Sequence, residues 1–160
     1  MVDVVDKVTR SRMMSGIKGK NTKPELLVRK ALHARGLRYR LHDDALAGKP
    51  DLVFPKYHAV VFIHGCYWHG HDCHLFRLPA TNTEFWSGKI AGNRLRDEEN
   101  VRLLTGSSWR VLTVWECALR GKARVDDFPN VIDGIYRWLV ASDAPSLEIR
   151  GPADARSPSG

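Results

Sequence analysis

The segment HGCYWHGHDCH, residues 64–74, carries four histidines, two cysteines and an aspartate in eleven positions. Holding a domain together does not require that density of polar, ligand-forming side chains. Thiolates and imidazoles are the preferred zinc donors, and imidazoles also move protons near neutral pH. The cysteines stand where a metal would want them. Cys66 and Cys73 bracket the segment, and His71 lies two before Cys73, giving C-x4-H-x-C. The remaining cysteine, Cys117, follows the apolar run RVLTVWE, whose end can return to the same corner of a sheet. A Cys3His set fills tetrahedral zinc with four protein ligands, which leaves no open position and makes such a site structural. Three unrelated buried thiols remain an alternative, as does Asp72 in place of one ligand; His74 reads as a surface histidine. The pattern His69-Gly70-His71-Asp72-Cys73-His74 approaches the H-x-H-x-D-H of metallo-β-lactamase-type hydrolases. A cysteine stands where the aspartate belongs, however, and no histidine follows His74, which excludes that fold.

A second candidate is a carboxylate. Lys49-Pro50-Asp51 opens one predicted strand, and the next ends at Phe62-Ile63-His64. Mg²⁺-dependent nucleases of the restriction-endonuclease type place an aspartate after a proline and an acid-x-Lys pair on the neighbouring strand. Only the first half is present, since positions 62 and 64 are Phe and His. A metal here would have to use a main-chain carbonyl near Ile63, with imidazoles supplying the polar groups. The plainer reading makes Asp51 a strand-start residue.

The elements that must position these groups follow from pattern. Residues 1–22 are polar and basic, a short helix and then a loop. Thr22-Lys23-Pro24-Glu25 is a capping box, in which Thr22 caps and Glu25 reaches back. The helix it opens places Leu27, Val28, Ala31 and Leu32 at helical spacing and stops at Gly36. LRYRLH predicts a strand, and DLVF with HAVVFIHG a strand pair buried on both faces. TEFWSGKIAGNRLRDEENVRLL predicts a long helix ending near Gly106 and SWRVLTVWE a strand. CALRGKARVDD predicts a short helix and turn, and FPNVIDGIYRWLVA a last amphipathic helix. From Ser142 the chain is rich in Pro, Ser, Ala and Gly, which predicts a disordered tail. The organisation is therefore an N-terminal segment over 1–22, a domain over 23–141 and a tail over 142–160. Helices and strands in this order predict an α/β domain, a central sheet flanked by helices.

Composition sets the class. With 160 residues, 43% of them hydrophobic, the chain suits one domain that buries a core without disulfides. The longest apolar run, AVVFI, is far short of the ~20 residues a membrane span needs. No secretory signal is read at the N-terminus, and an odd number of cysteines argues against a disulfide framework, so a cytoplasmic protein is expected. Lys and Arg number 25 against 18 acidic residues, a net charge of +7. That excess favours polyanions, nucleic acid first, although charge alone is weak evidence.

These segments together resemble one family, the very short patch repair (Vsr) endonucleases, which nick DNA beside T:G mismatches. The resemblance spans about residues 5–120 and rests on DKVTRSRMMSGI, KPDLVF, FIHGCYWHGHDCHLF, PATNTEFW, KIAGNRLRD and GSSWRVLTVWECALRG, in this order and at nearly the family spacing. It implies a restriction-endonuclease-like core with a central mixed sheet and a structural Zn²⁺ on Cys66, His71, Cys73 and Cys117. It implies catalytic Mg²⁺ on Asp51 and the backbone carbonyl of Ile63, where the family usually has a polar residue. His69 would be the general base, His64 would support the scissile phosphate, and Glu25 and Asp97 would complete the surroundings of the metal. For Glu25 the capping role stays an alternative, and for Asp97 a solvated helix face. Tyr67 (more often Phe in the family), Trp68 and Trp86 would wedge into the base stack, and Met14 would enter from the opposite groove. Lys89 and Asn93, on one helical face, would read the mismatched pair.

The function implied is a Mg²⁺-dependent endonuclease that cuts 5′ of the mispaired thymine and leaves a 5′-phosphate, acting as a monomer on double-stranded DNA. A cytosine methyltransferase would be its companion, since such mismatches arise by deamination of 5-methylcytosine. Stimulation by the mismatch-repair protein MutL is a further implication. Two other classes stay open: a restriction endonuclease on the same core, cutting both strands of an intact site, and a non-catalytic zinc DNA-binding module.

Overall fold

The computed structural model describes residues 22–71, 73, 78–119 and 121–151. In chain order they form α1 (Lys23–Ala34), β1 (Arg40–Leu41), β2 (Leu52–Phe54), a 3₁₀ turn (Pro55–Tyr57) and β3 (Ala59–His64). Then come α2 (Thr83–Gly106), β4 (Arg110–Trp115), a second 3₁₀ turn (Glu116–Ala118), α3 (Gly121–Ala141) and β5 (Ser146–Ile149). The five strands lie in one sheet in the order β1-β2-β3-β4-β5. The first three are antiparallel neighbours, while β3, β4 and β5 run parallel, so the sheet is mixed.

Strand alternation sorts the side chains onto two faces. Ala59 and Val61 of β3 join Leu52, Phe54, Leu112 and Val114 in the larger core, which α1 covers with Val28 and Leu32 and α3 with Ile135, Trp138 and Leu139. Val60 and Phe62 face the other way and pack with Val53, Val111 and Leu104 of α2. His64 continues the parity of Val60 and Phe62, and Asp51 that of Val53. Both therefore belong to the face under α2.

α1 begins at Lys23 with Thr22 as its cap, and the Glu25 side chain is bonded to Arg29. Thr22 Oγ1 accepts the Glu25 N–H at 3.4 Å, and Pro24 sits in the first turn, where its missing donor costs nothing. Glu25, Val28 and Leu32 share the buried stripe, so the acid ends an otherwise apolar face and points into the protein.

α2 obeys a different logic. Of its 24 residues only Ile90 and Leu104 are buried, and at about 1.5 Å per residue it extends roughly 36 Å along the sheet. Its periodicity serves a polar stripe rather than a core: Lys89, Asn93, Arg96, Asp97 and Asn100 all face one cleft.

Two expected boundaries differ. The short helix and turn expected before FPNVIDGIYRWLVA are continuous with it, as α3 runs through Pro129. The face formed by Ile132, Ile135, Trp138 and Leu139 is anchored in the core, and that burial outweighs the one backbone bond a proline removes. Residues 142–160, expected as a disordered tail, contribute β5, whose Ser146–Ile149 pairs with Val111–Val114. A strand this exposed carries little apolar signal; the open edge of β4 supplies its partner. Met14, with the rest of residues 1–21, lies outside the described residues, as do Asp72 and His74.

Candidate active site

Three clusters of ligand-type side chains meet at the ends of β2, β3 and β4. Cys66, His71, Cys73 and Cys117 form one, His64, His69 and Asp97 a second, and Glu25, His42 and Asp51 a third. Within each cluster the donor atoms lie within 4.8 Å of one another. The second cluster, with His42 and Asp51 of the third, lines a cleft of about 870 Å³ that also takes in Tyr67, Trp68, Lys89, Asn93 and Glu116.

The cysteine cluster is assembled by the turn after β3 and the 3₁₀ turn after β4. Parallel pairing sets His64 beside Trp115, so Cys66 and Cys117 emerge from adjacent strand ends. His71 Nδ1 lies 3.5 Å from Cys66 Sγ and 3.6 Å from Cys117 Sγ. Zinc bonds of about 2.3 Å to sulfur and 2.0 Å to nitrogen at a tetrahedral angle require an S···N edge of about 3.5 Å. The ligand set therefore fits a tetrahedral ion. Backbone donors support the thiolates: Cys117 N–H points to Cys66 Sγ at 3.3 Å and Gly151 N–H to Cys117 Sγ at 3.2 Å. The hydrogen bond between the two sulfurs drives the Cys117 thiol down to about 5 and the Cys66 thiol up.

Across the sheet end, His69 Nδ1–H donates to Asp97 Oδ2 at 2.5 Å. With the proton held on Nδ1, Nε2 keeps its lone pair, the state a general base needs. The turn carrying His69 is held against α2 from two sides. Asn93 Nδ2 donates to the Trp68 carbonyl at 2.8 Å. Gly70, at φ +61°, lies so close that a Cβ would meet Ile90 Cγ2 at 2.6 Å. His64 stacks face to face on His69, with ring centroids 3.8 Å apart and planes 3° from parallel. Burial and the neighbouring His69 push the His64 pKa well below the ordinary imidazole value, so His64 is neutral at pH 7. Its Nδ1 is buried without a hydrogen-bond partner.

Asp51 Oδ2 accepts the Ile63 N–H at 2.7 Å, which pins the carboxylate beside the cleft. Burial raises its pKa to about 6; the Ile63 bond opposes the shift and Glu25 adds to it. Glu25 Oε2 lies 2.8 Å from His42 Nε2 and 2.9 Å from Arg29 Nη1. Two carboxylates crowded together and desolvated, with one raised to about 6, form a site that a divalent cation would relieve.

The aromatics form one contiguous group, of which Tyr67 and Trp68 line the cleft. Tyr67 meets Trp68 edge-on at 5.0 Å, Trp86 lies 6.3 Å from Tyr67 and 6.2 Å from Trp68, and Phe85 stands 5.2 Å from Trp86. Phe85 is 62% exposed at the edge of this group.

Against known proteins, a family profile described as DNA mismatch endonuclease Vsr matches residues 2–75. The DNA mismatch endonuclease Vsr of Escherichia coli is 47% identical over 144 residues, covering 90% of this chain and 92% of that protein. The chain belongs to the Vsr family of DNA mismatch endonucleases. It is a DNA endonuclease, and DNA is its substrate. Other Vsr-like relatives are nicking enzymes. The type II nicking enzyme V.NmeAIP of Neisseria meningitidis is 48% identical over 123 residues, covering 77% of this chain and 88% of that protein. V.XorIIP of Xanthomonas oryzae, also a type II nicking enzyme, is 44% identical over 119 residues, covering 74% and 88%. Among the described residues no helix is long and apolar enough to cross a membrane.

Of the site residues named from the sequence, Asp51, Ile63, His64, Tyr67, Trp68, His69, Lys89, Asn93 and Asp97 of this Vsr-family chain line one cleft, while Glu25 is buried with a carboxylate oxygen within 4.8 Å of Asp51. Three neighbours of these residues were not singled out from the sequence. His42 lies on no motif and joins the carboxylates only because the β1–β2 hairpin returns it to Asp51, whose carbonyl accepts the His42 N–H at 3.2 Å. Glu116 accepts the Cys66 N–H through Oε1 at 3.2 Å, joining the metal-type corner to the cleft. Trp115 ends an ordinary apolar strand, yet its indole stacks on His71 with 4.0 Å between centroids. Only the strand register could have pointed to it.

Proposed function

We propose that the chain is a Mg²⁺-dependent, strand-specific endonuclease that nicks double-stranded DNA 5′ of the thymine in a T:G mismatch. The observation that carries this reading is one cleft lined by both Asp51 and the His69–Asp97 dyad, with a Glu25 carboxylate oxygen within 4.8 Å of that of Asp51. Asp51 and the Ile63 carbonyl would hold the Mg²⁺, with Glu25 close by. A bound Mg²⁺ supplies Lewis-acid polarisation of a phosphoryl oxygen and offsets charge on the leaving oxygen. The residues do the rest. Asp97 orients His69 so that Nε2 takes the proton of the attacking water. His64, neutral and stacked on His69, offers an uncharged imidazole to the scissile phosphate; its depressed pKa keeps a second cation off that stack. Cys66, His71, Cys73 and Cys117 would hold structural Zn²⁺, a restraint on the turn that carries His69. The surrounding fold is read as a restriction-endonuclease-like core.

Tyr67, Trp68 and Trp86 would enter a base stack, a step that costs a few kcal/mol and is cheapest at a mismatch. Met14, from the N-terminal segment, would enter the other groove. Lys89 faces the cleft and is free to contact the mismatched pair, whereas Asn93 would have to exchange its bond to Trp68 for one to a base. MutL is a candidate accessory partner, and a monomer the working unit.

The test is a strand-resolved nicking assay with Mg²⁺ on a duplex carrying one T:G mismatch in a cytosine-methylation site, beside a matched duplex and the Asp51→Ala protein. The expected product is a cut in the T strand alone, at the 5′ side of the mispaired thymine, absent from the matched duplex and from Asp51→Ala. Cleavage of both strands of the matched duplex would replace this reading with a restriction enzyme. Binding without cleavage would replace it with a zinc DNA-binding module.

A further inference from the structure

We propose that His42 is a ligand of the divalent cation, so that Glu25, Asp51 and His42 form a mixed oxygen–nitrogen site that takes Mn²⁺ as well as Mg²⁺. The inference rests on the assignment of Asp51 to the metal and adds a donor that assignment does not contain. Four observations converge on it. The imidazole lies in the cleft with its donor atom within 4.8 Å of a ligand oxygen on each carboxylate. His42 Nε2 is buried and has no acceptor in line with it, although Glu25 Oε2 is only 2.8 Å away. A lone pair that close to a carboxylate oxygen repels it unless positive charge lies between them. A proton on Nε2 would point off the N···O line, whereas a metal ion sits off that line by its nature. Bonds of about 2.1 Å to two adjacent octahedral ligands place the donors about 3.0 Å apart, close to the separation seen.

The fourth observation is the backbone. His42 has φ +49°, a conformation that a non-glycine residue adopts at some cost and that recurs where a side chain is aimed for a function. It is held there by its N–H bond to the Asp51 carbonyl at 3.2 Å, so the ring and the carboxylate are fixed by one local geometry. An imidazole donor also changes which ions the site accepts. Mg²⁺ prefers oxygen ligands, whereas Mn²⁺ and the later first-row ions gain from nitrogen.

The experiment uses the full-length, zinc-loaded protein without DNA, titrated with Mn²⁺ and followed by pulsed electron paramagnetic resonance for directly bound ¹⁴N. His42→Asn is the chosen variant because asparagine tolerates positive φ. His42→Gln is the second, and retained zinc content and circular dichroism establish that each is folded. Wild type should show one coordinated nitrogen, lost in both variants, with Mn²⁺ affinity lowered about tenfold or more and Mg²⁺ affinity lowered less. A nitrogen signal that persists in His42→Asn assigns the donor to another histidine and overturns the inference. Mn²⁺ bound at Asp51 with no nitrogen coupling in wild type also overturns it, while leaving Asp51 as the metal residue. If Asp51→Asn binds Mn²⁺ as tightly as wild type, the assignment of Asp51 fails, and this inference with it.

Discussion

The His71 imidazole lies flat on the indole of Trp115, with ring centroids 4.0 Å apart and planes 7° from parallel. The same indole meets His64 edge-on at 5.3 Å and His69 at 6.3 Å. One side chain therefore separates the cysteine cluster from the two imidazoles assigned to the chemistry and touches both. Its Nε1–H donates to Glu148 Oε1 at 2.8 Å, so β5 sets the rotation of the ring.

Trp115→Phe should then keep the cluster and lose the anchor. The expected outcome is unchanged zinc content, a roughly tenfold to hundredfold fall in kcat of nicking and little change in KM for mismatched DNA. Glu148→Gln retains an oxygen acceptor for the indole N–H and should restore most of the activity that Glu148→Ala loses. Steady-state nicking with metal analysis checks both. A KM effect without a kcat effect would count against Trp115 as a positioning residue.

Loss of a cysteine should unfold rather than merely slow the protein. Cys117 is buried, receives the Gly151 N–H and lies at the junction of β4 and α3. With the cluster holding zinc as proposed, Cys117→Ser should release it and lower Tm by about 10 °C or more, since a structural zinc contributes several kcal/mol to folding. Chelation of wild type should produce the same drop, and calorimetry with metal analysis measures it. A Tm that survives zinc removal would make the ion dispensable to the fold.

Asp51 ties function to stability with a definite sign. Its folded pKa is about 6 against an ordinary value of 3.8, so the folded state holds the proton more tightly than the unfolded chain does. The Mg²⁺-free protein therefore loses stability as pH rises from about 4 to about 6, by up to roughly 3 kcal/mol, and stays at that lower level above. Asp51→Asn keeps an acceptor for Ile63 and removes the buried charge. It should abolish nicking, yet raise Tm at pH 7.5 in the absence of Mg²⁺ by several degrees, about 2–4 °C per kcal/mol. The gain should shrink as pH is lowered to 5. Equal Tm values for the two proteins at pH 7.5 would contradict the buried-charge account.

The His69–Asp97 pair predicts a tautomer effect. Asp97→Asn leaves the side chain isosteric but offers either an amide donor or a weaker acceptor to Nδ1, so that the Nε2 lone pair is no longer secured. kcat should fall about 10²- to 10⁴-fold with mismatch binding retained. Single-turnover nicking beside a gel-shift titration separates the two quantities. A matching loss of binding would move Asp97 from the chemistry to the DNA interface.

What one local stretch of chain can express is legible in the sequence. Residues 64–74 stand out as a dense set of ligand-type side chains, and their donor atoms do cluster in the fold. The capping of α1 by Thr22 is a contact between residues three apart, and the burial of β2 and β3 is written in their unbroken apolar runs. The α/β layering follows from the order of those elements. What depends on two distant segments meeting was not legible. His42 carries no motif; a hairpin brings it to Asp51 and Glu25. Trp115 looks like the end of any buried strand until parallel register sets it beside His64. β5 has almost no apolar signal of its own, since a strand can be held by the backbone bonds of a neighbouring edge, which are indifferent to side-chain identity. Pro129 would end a helix judged by its own residues and does not, because the packed face of α3 outweighs one lost hydrogen bond. The sequence by itself determined which chemical groups the protein has and which local elements carry them. Only the tertiary structure decided which of those groups share a cleft, because ligand distances of 3–4 Å are set by strand register and helix docking, and no spacing along the chain encodes either.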